Sequence, residues 1–203
     1  MNSDFEMHLV GGDHRIAIFA SGAGTNAENC IRYFRSHAAV YVALIVTNKP
    51  NAGVIAVAER YGIPYVVQQD WHEEGVISLL EQLKQYRISF ILLAGFLALI
   101  PSELIRAYAG HMVNIHPALL PEFGGKGMYG KRVHAAVHAA GAVESGITIH
   151  EVDEEYDHGK VLFQAKVAIT PQDTPASIEE KVRALEYAHL PTVVEKLLLT
   201  GRV

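Results

Sequence analysis

The sequence predicts an α/β fold with a doubly wound, mostly parallel sheet, a late antiparallel hairpin and a long C-terminal helix. Short apolar runs rich in β-branched residues alternate with segments of helical periodicity through residue 116, which is typical of βαβ units. The pattern then changes, because the strand-like runs 146–152 and 160–169 have only a turn between them, which indicates a hairpin. A helical pattern over residues 174–199 follows the hairpin.

The first half of the chain alternates strands and helices. The run 15–20 is apolar throughout and predicts a buried strand. The helix after it has an inward face with helical spacing, formed by Ala27, Cys30, Ile31 and Phe34. Gly62 follows the second helix as a normal C-terminal stop. In chain order we predict strands at 15–20, 40–46, 63–67 and 89–93, and helices at 25–36, 52–61, 71–86 and 102–109.

The second half begins with a short buried strand that ends at Pro117. The last helix has a candidate N-cap in Thr174 or Ser177 and contains Pro191, at which we expect a kink. We predict strands at 112–115, 146–152 and 160–169, and helices at 131–140 and 174–199.

The size and composition are those of a globular protein. A chain of 203 residues, of which 50% are hydrophobic and 19% charged, suits one domain with a full core. We expect residues 14–203 to form this single domain. Residues 1–13 mix acidic side chains with few apolar ones, so we expect a flexible arm there, with Gly11 and Gly12 as its hinge.

Charge and cysteine content narrow the partners and the compartment. The net charge of −5 and the lack of a basic run argue against nucleic acid as a partner. No apolar run is long enough to span a membrane or to form a signal peptide. The single cysteine, Cys30, excludes a disulfide framework and indicates a reducing compartment. We therefore expect a cytoplasmic protein.

The turn after the first strand has the pattern of a phosphate-binding loop. Residues 22–27 follow G-x-G-x-x-A between a strand and a helix, where backbone N–H groups face an anion. The acidic residue that would bind the ribose of a dinucleotide is missing at the end of the second strand, which reads Thr47-Asn48-Lys49. Thr25 and Asn26 add donors at the helix start. We favour a single phosphate group here, with a turn that binds no ligand as the alternative.

The stretch 111–121 carries the candidate catalytic side chains. Asn114 and His116 lie two residues apart on a predicted strand, so their side chains point to the same face. The strand stops at Pro117, and ligands bind at the carboxyl ends of strands in open α/β sheets. The alternative is that Asn114 only forms a turn and His116 only begins a loop. The residues described next argue against this alternative.

An acidic turn lies between the two late strands. Most of its carboxylates are expected to be solvated, but Asp157 sits at the exit of the turn, two residues before Gly159. An aspartate beside His116 would raise the pKa of the imidazole by its opposite charge. The pair would then serve as an acid and base, with the Asn114 amide as donor to an oxyanion. His150 could line the same cleft.

With these residues assembled, the chain resembles the phosphoribosylglycinamide formyltransferases, the folate-dependent family of purine synthesis with a Rossmann-like fold. The resemblance covers almost all of residues 15–200. The matching motifs, in chain order, are Ser21-Gly22-Ala23-Gly24-Thr25-Asn26, Thr47-Asn48-Lys49, Leu93-Ala94-Gly95-Phe96, Asn114-Ile115-His116-Pro117-Ala118-Leu119-Leu120-Pro121 and Asp157-His158-Gly159.

The resemblance implies formyl transfer from 10-formyltetrahydrofolate to the amine of glycinamide ribonucleotide, without a metal and with a monomer or homodimer as the working form. It assigns the ribonucleotide phosphate to Gly24, Thr25 and Asn26, and a further ribonucleotide contact to Glu186. It assigns the catalytic roles to Asn114, His116 and Asp157. Asn114 also belongs to the implied folate site, together with the main chain of Leu97, Ala98, Leu99 and Ile100.

Two segments depart from the family pattern. The loop 122–130 is longer than in better-known members and lacks a histidine often found there. Residues 68–75 form a short segment without the basic residue that some members direct toward the folate tail, for which Lys126 is a candidate substitute.

Other functions remain open at this stage. A methionyl-tRNA formyltransferase would need an RNA-binding domain, and a deformylase would need a regulatory domain before residue 15. A non-catalytic nucleotide-binding module would use the glycine-rich turn alone. A metal hydrolase could use His116, His150, Asp157 and His158, but no compact ligand motif supports it.

Overall fold

The computed structural model describes residues 14–201, which form a seven-stranded sheet with helices on both faces. The strands are β1 His14–Phe19, β2 Val40–Thr47, β3 Tyr65–Val67, β4 Phe90–Ala94, β5 Met112–His116, β6 Glu144–Glu151 and β7 Val161–Ala168. The helices are α1 Thr25–Phe34, α2 Gly53–Tyr61, α3 Glu73–Gln85, α4 Ser102–Ala107, α5 Lys131–Ala139 and α6 Pro175–Thr200. The predicted fold class is confirmed.

The strand order β3-β2-β1-β4-β5-β6-β7 creates a crevice in the middle of the sheet. The chain first builds outward from β1 to β3 and then returns to β4 on the other side of β1, with parallel pairing throughout. Such a reversal of direction leaves an opening at the carboxyl ends of the two central strands. Strands β6 and β7 are antiparallel, as the hairpin pattern predicted.

Two apolar layers enclose the sheet. One layer packs against α1, α2, α5 and α6, and it contains the inward face of α1 that the sequence predicted. The other layer packs against α3 and α4. Among the described residues, no helix is both long and apolar enough to cross a membrane.

Helix α6 runs unbroken from residue 175 to residue 200 with Pro191 inside it. Thr174 and Ser177 form a reciprocal capping box, so both candidate caps are used. Pro191 has no N–H to offer to the carbonyl of Tyr187 four residues earlier. The side-chain amide of Asn29 on α1 donates to this carbonyl at 3.1 Å, so a neighbouring helix replaces the missing hydrogen bond.

Some predicted boundaries shift by two or three residues. Helix α1 ends at Phe34 and not at residue 36, because the Nδ1 atom of His37 accepts the N–H groups of Ala39 and Val40 and turns the chain into β2. The third strand begins at Tyr65 and not at residue 63. The predicted arm at residues 1–13 lies outside the described residues.

Candidate active site

The carboxyl end of β5 presents Asn114 and His116 to the crevice. Strand β5 lies between β4 and β6, and Asn114 pairs directly with His150 of β6. Both side chains line a cavity of about 610 Å³, and His116 is buried. The strand alternation thus places the amide and the imidazole on one face, as the sequence predicted.

The turn after β6 brings Asp157 to both of them. Its Oδ1 atom lies 3.3 Å from His116 Nδ1 and accepts a hydrogen bond of 3.2 Å from Asn114 Nδ2. Asp157 has a positive φ of 55°. Two residues later, a Cβ on Gly159 would lie 1.9 Å from the carbonyl oxygen of Glu151, so only glycine permits this close return of the chain.

The carboxyl group of Asp157 is held in its charged form. Burial raises its pKa, but the His116 ring, the neighbouring His150 ring and the backbone N–H of Gly125 together lower it more strongly. The net result is a pKa well below the ordinary aspartate value. A fixed negative charge therefore faces the His116 ring in the cleft.

His150 belongs to the same network as Asn114. Its Nδ1 atom lies 2.7 Å from the carbonyl oxygen of Glu151, which can only accept, so Nδ1 carries a proton. Its Nε2 atom lies 3.0 Å from Asn114 Nδ2 and 3.7 Å from Asp157 Oδ1. Both hydrogens of the Asn114 amide are thereby directed to protein acceptors, and donation to a ligand would require one of them to be exchanged.

The loop 122–130 closes over these side chains from the other side. The carbonyl of Phe123, a residue with a φ of 55°, accepts a hydrogen bond of 2.8 Å from His116 Nε2. The backbone N–H of Gly125 donates to Asp157 Oδ2 at 2.9 Å. A loop that departs from the family pattern is therefore bonded to two of the three predicted catalytic residues.

The glycine-rich turn has the shape of an anion site. Gly24 is the N-cap of α1 with a φ of 78°, and no side chain caps the N–H groups of the first turn. A Cβ on Gly24 would lie 2.7 Å from the Val54 side chain, so the turn packs tightly against α2. Thr25 is exposed beside it. These free N–H groups at a helix start favour an anion.

Glu186 of α6 reaches the start of α1. The Asn26 side chain lies close enough to the Glu186 carboxylate to lower its pKa, so two predicted ribonucleotide contacts are neighbours. Burial raises the pKa of Glu186 to about 6, although Asn26 and the charge of Arg183 oppose the rise. The buried Oδ1 atom of Asn26 has no hydrogen-bond partner.

Residues 97–100 are divided between two cavities. Leu97 lines the large cavity, whereas Ala98, Leu99 and Ile100 form the apolar wall of a smaller one of about 60 Å³, whose other side holds Tyr156 and acidic side chains of the turn. Asn114 and Asp157 border both cavities. The backbone N–H of Leu97 already donates to Ser21 Oγ at 2.9 Å, so it does not serve a ligand in this arrangement.

Several cleft residues escaped the sequence reasoning. Arg132, His134 and Arg183 line the large cavity, as does Lys126, which had been named only for the folate tail. Arg183 lies three residues before Glu186 on the same helix, and that spacing was a usable signal. His134 is buried on α5 and its Nδ1 atom has no partner, a feature that no local pattern reveals.

The residues considered for a metal hydrolase do not form one cluster. The Nδ1 atom of His158 lies 2.8 Å from Asp153 Oδ2, and both side chains are largely exposed at the turn. Within residues 14–201, no group of three or more histidine, cysteine or acidic side chains is arranged to hold a metal ion.

Comparison with known proteins identifies the family. A family model described as "Formyl transferase" matches residues 14–194. The chain belongs to the formyl transferase family. This assignment agrees with the motifs on which the resemblance rested, all of which lie inside the matched range.

Relatives within the formyl transferase family include plant and bacterial proteins. The chloroplastic phosphoribosylglycinamide formyltransferase of Arabidopsis thaliana is 43% identical over 175 residues, which are 83% of this chain and 60% of the relative. The phosphoribosylglycinamide formyltransferase of Bacillus subtilis (strain 168) is 36% identical over 189 residues, which are 91% of this chain and 94% of the relative. The chain thus spans about 60% of the plant relative and nearly all of the bacterial one.

Solved structures of formyl transferases share the fold. The crystal structure of phosphoribosylglycinamide formyltransferase from Bacillus halodurans matches with a TM-score of 0.83 at 36% identity, covering 93% of this chain and 97% of that one. The glycinamide ribonucleotide transformylase 1 of Geobacillus kaustophilus matches with a TM-score of 0.82 at 38% identity, covering 92% and 99%.

Proposed function

We propose that this protein transfers a formyl group from 10-formyltetrahydrofolate to the amine of glycinamide ribonucleotide. The observation that carries the proposal is the position of Asn114, His116 and Asp157, which meet between an anion-binding turn and an apolar cavity. The names of the plant and bacterial relatives support the choice of this reaction within the family.

The ribonucleotide would lie in the large cavity with its phosphate at the start of α1. The free N–H groups after Gly24 and the side chain of Thr25 would receive the phosphate oxygens. Glu186, beside Asn26, would accept hydrogen bonds from ribose hydroxyl groups. Arg183 would add positive charge on the same side. This placement directs the substrate amine toward the carboxyl end of β5.

The heterocycle of the formyl donor would enter at the smaller cavity, whose volume of about 60 Å³ would require Tyr156 and the acidic turn to move outward. Ala98, Leu99 and Ile100 offer apolar side chains and main-chain groups to a flat heterocycle, and Tyr156 faces them. The donor supplies the formyl carbon. Asn114 borders this cavity as well as the large one, so it lies where the two substrates would meet.

The chain's own groups would then handle charge and protons. The amine nitrogen forms a bond to the formyl carbon, the bond from that carbon to the folate nitrogen breaks, and one proton moves from the amine to the folate nitrogen. Asn114 and His116 would donate hydrogen bonds to the carbonyl oxygen as negative charge develops on it. The charged Asp157 would accept a hydrogen bond from the His116 ring and hold the ring in place.

This role requires a local change around His116. Its Nε2–H is donated to the Phe123 carbonyl, and the Asn114 amide hydrogens go to His150 and Asp157. We propose that substrate binding moves the Phe123 carbonyl away from His116, while the Gly125 N–H keeps its bond to Asp157, and exchanges one Asn114 hydrogen bond for a bond to the formyl oxygen. We further propose a cytoplasmic monomer or homodimer, in keeping with the free and buried Cys30.

The test is incubation of the purified protein with glycinamide ribonucleotide and 10-formyltetrahydrofolate. We expect formylated ribonucleotide and tetrahydrofolate in equal amounts, and loss of both products in Asn114→Ala. Release of formate without formylation of the ribonucleotide would favour a deformylase. Absence of any turnover of the folate would contradict the proposal, provided that circular dichroism shows a folded protein.

A further inference from the structure

The side chain of Ser21 joins three loops at the carboxyl edge of the sheet. Its Oγ–H donates to Asn48 Oδ1 at 2.6 Å, and the same oxygen accepts the backbone N–H of Leu97 at 2.9 Å. Its backbone N–H donates to the carbonyl of Gly95 at 3.0 Å. The three loops follow β1, β2 and β4, which are far apart in the sequence but adjacent in the sheet.

The hydroxyl group is suited to this position because it both donates and accepts. Ser21 is 4% exposed, so neither water nor a mobile side chain can readily replace its two hydrogen bonds. Without the hydroxyl, the N–H of Leu97 and the amide oxygen of Asn48, which belong to partly exposed residues, would both lose their partner in this arrangement. A shift of the loop is one way for these two groups to find new partners.

The loops that Ser21 joins serve opposite ends of the cleft. Residues 22–24, which follow Ser21 directly, form the anion-binding turn. Leu97 begins the segment whose next three residues line the apolar cavity. Gly95, with a φ of 72°, starts this segment at the end of β4. The hydrogen bonds of the Ser21 side chain, together with its backbone bond to Gly95, therefore tie the two proposed substrate sites to each other.

We propose that Ser21 is a positioning residue, whose hydroxyl group fixes the main chain of residues 95–97 and thereby the apolar cavity relative to the anion-binding turn. The link to catalysis rests on the proposed function, in which the formyl donor occupies that cavity. Ser21 itself acts through Leu97 and does not contact either substrate.

Trp71 provides a reporter of this segment that is independent of activity. It is the only tryptophan of the chain, and its ring packs edge-on against Phe96 with centroids 5.6 Å apart. Phe96 in turn packs against Phe19 of β1 at 5.4 Å. Because Phe96 lies between Gly95 and Leu97, a movement of the segment changes the environment of the indole and hence its emission.

The experiment compares Ser21→Ala with Ser21→Thr and with Ser145→Ala in the full-length protein. Ser145 is the matched control, since it is 2% exposed and its buried Oγ has no hydrogen-bond partner. For Ser21→Ala we expect altered Trp71 emission and a KM for 10-formyltetrahydrofolate raised about tenfold, with the KM for glycinamide ribonucleotide within about twofold of wild type. Ser21→Thr, which keeps the hydroxyl, restores the emission and the KM. Ser145→Ala changes neither.

Two results would overturn the proposal. Equal changes of both KM values in Ser21→Ala would indicate general damage to the fold, and unchanged Trp71 emission with unchanged KM values would show that the segment holds its position without the hydroxyl. If wild type does not turn over the folate, the proposed function fails, but the emission of Ser21→Ala still decides whether Ser21 fixes the segment.

A second variant covers the case in which Ser21→Ala does not fold. Asn48→Ala removes the acceptor of the Ser21 hydroxyl and leaves the bond from Leu97 to Ser21 in place. We expect a change in Trp71 emission and in the KM for the formyl donor that is smaller than for Ser21→Ala but in the same direction. A selective rise in the KM for the ribonucleotide would contradict the proposal.

Discussion

The Nε2 atom of His116 lies 2.8 Å from the carbonyl oxygen of Phe123. A carbonyl can only accept, so this ring nitrogen carries the proton. The other ring nitrogen lies 3.3 Å from Asp157 Oδ1, so both nitrogens face oxygen atoms. The imidazole ring of His116 thus lies between the Asp157 carboxylate and the loop 122–130. Its Nε2 proton reaches a substrate only when the Phe123 carbonyl moves away.

The first prediction concerns the carboxylate beside His116. Asp157→Asn should lower kcat by about three orders of magnitude, because the amide carries no negative charge and its N–H group must face one of the donors that now bond to the carboxylate. Steady-state formyl transfer measures kcat, and circular dichroism checks the fold. Glu154→Gln is the control in the same turn, because Glu154 is exposed and lines neither cavity. Near-wild-type turnover in Asp157→Asn would contradict the assigned role.

The second prediction concerns the loop contact. A Cβ on Gly124 would lie 2.5 Å from Leu120 Cδ2 and 3.2 Å from Asp157 Cβ. Gly124→Ala should therefore push the loop away from Asp157 and break the Gly125 hydrogen bond, with a fall in kcat of about tenfold or more. Adding Leu120→Ala relieves only the first contact, so we expect at most partial recovery. Full activity in Gly124→Ala would show that the loop position does not matter for turnover.

The third prediction follows from the pKa of Glu186, which burial raises to about 6 from an ordinary value of 4.5. The folded protein then binds a proton more tightly than the unfolded chain, so the free energy of unfolding falls as the pH rises from 4.5 to 6 and is constant above. Glu186→Gln should be more stable by up to about 2 kcal/mol at pH 7.5, with no gain below pH 4.5.

Urea unfolding at several pH values measures this difference. The exposed Glu180 on the same helix provides the control, since Glu180→Gln should leave the pH dependence unchanged. The same Glu186→Gln variant should raise the KM for the ribonucleotide, because an amide is a weaker acceptor for ribose hydroxyls than a carboxylate. If Glu186→Gln is less stable than wild type at neutral pH, the buried charge of Glu186 does not destabilise the fold and the prediction is wrong.

The fourth prediction tests the support behind the catalytic strand. The fully buried Thr148 accepts the N–H of Leu120 at 2.9 Å, donates to the carbonyl of Ala118 at 2.7 Å and accepts from Gln164 at 2.9 Å. Thr148→Val keeps the shape but leaves these groups unpaired, which should cost about 2–3 kcal/mol and lower Tm by roughly 5–10 °C.

Thermal unfolding followed by circular dichroism measures the Tm change. Thr192→Val, at an exposed position of α6, should shift Tm much less. We expect kcat of Thr148→Val to remain within several-fold of wild type below its Tm, because the side chain bonds to residues 118–120 and lines neither cavity. An unchanged Tm would mean that water or a shifted neighbouring side chain supplies the hydrogen bonds that the Thr148 hydroxyl group made.

Much of the fold could be read from local patterns. The spacing of apolar residues along α1 and the buried strands shows which face of each element is buried. This spacing is a local property of the chain, so the sequence alone reveals it. Element ends were less predictable. The side chain of His37 ends α1 early by accepting two N–H groups of the next segment, and hydropathy carries no sign of such a contact.

The candidate site was only partly visible in the sequence. Asn114 and His116 lie on one strand, so their common direction follows from strand geometry. Arg132 and Arg183 were missed because each looks like an ordinary surface cation of a helix. Their positions on the cleft depend on how α5 and α6 pack against the sheet.

By itself the sequence determined the alternation of strands and helices, the glycine-rich turn and the pair of side chains at the end of β5, because these depend on interactions within a few residues. Only the tertiary structure decided that Asp157 contacts His116, that the Phe123 carbonyl accepts the Nε2–H of His116, and that Ser21 joins three loops. These contacts join segments brought together by the order of strands in the sheet, and that order results from packing of the whole chain.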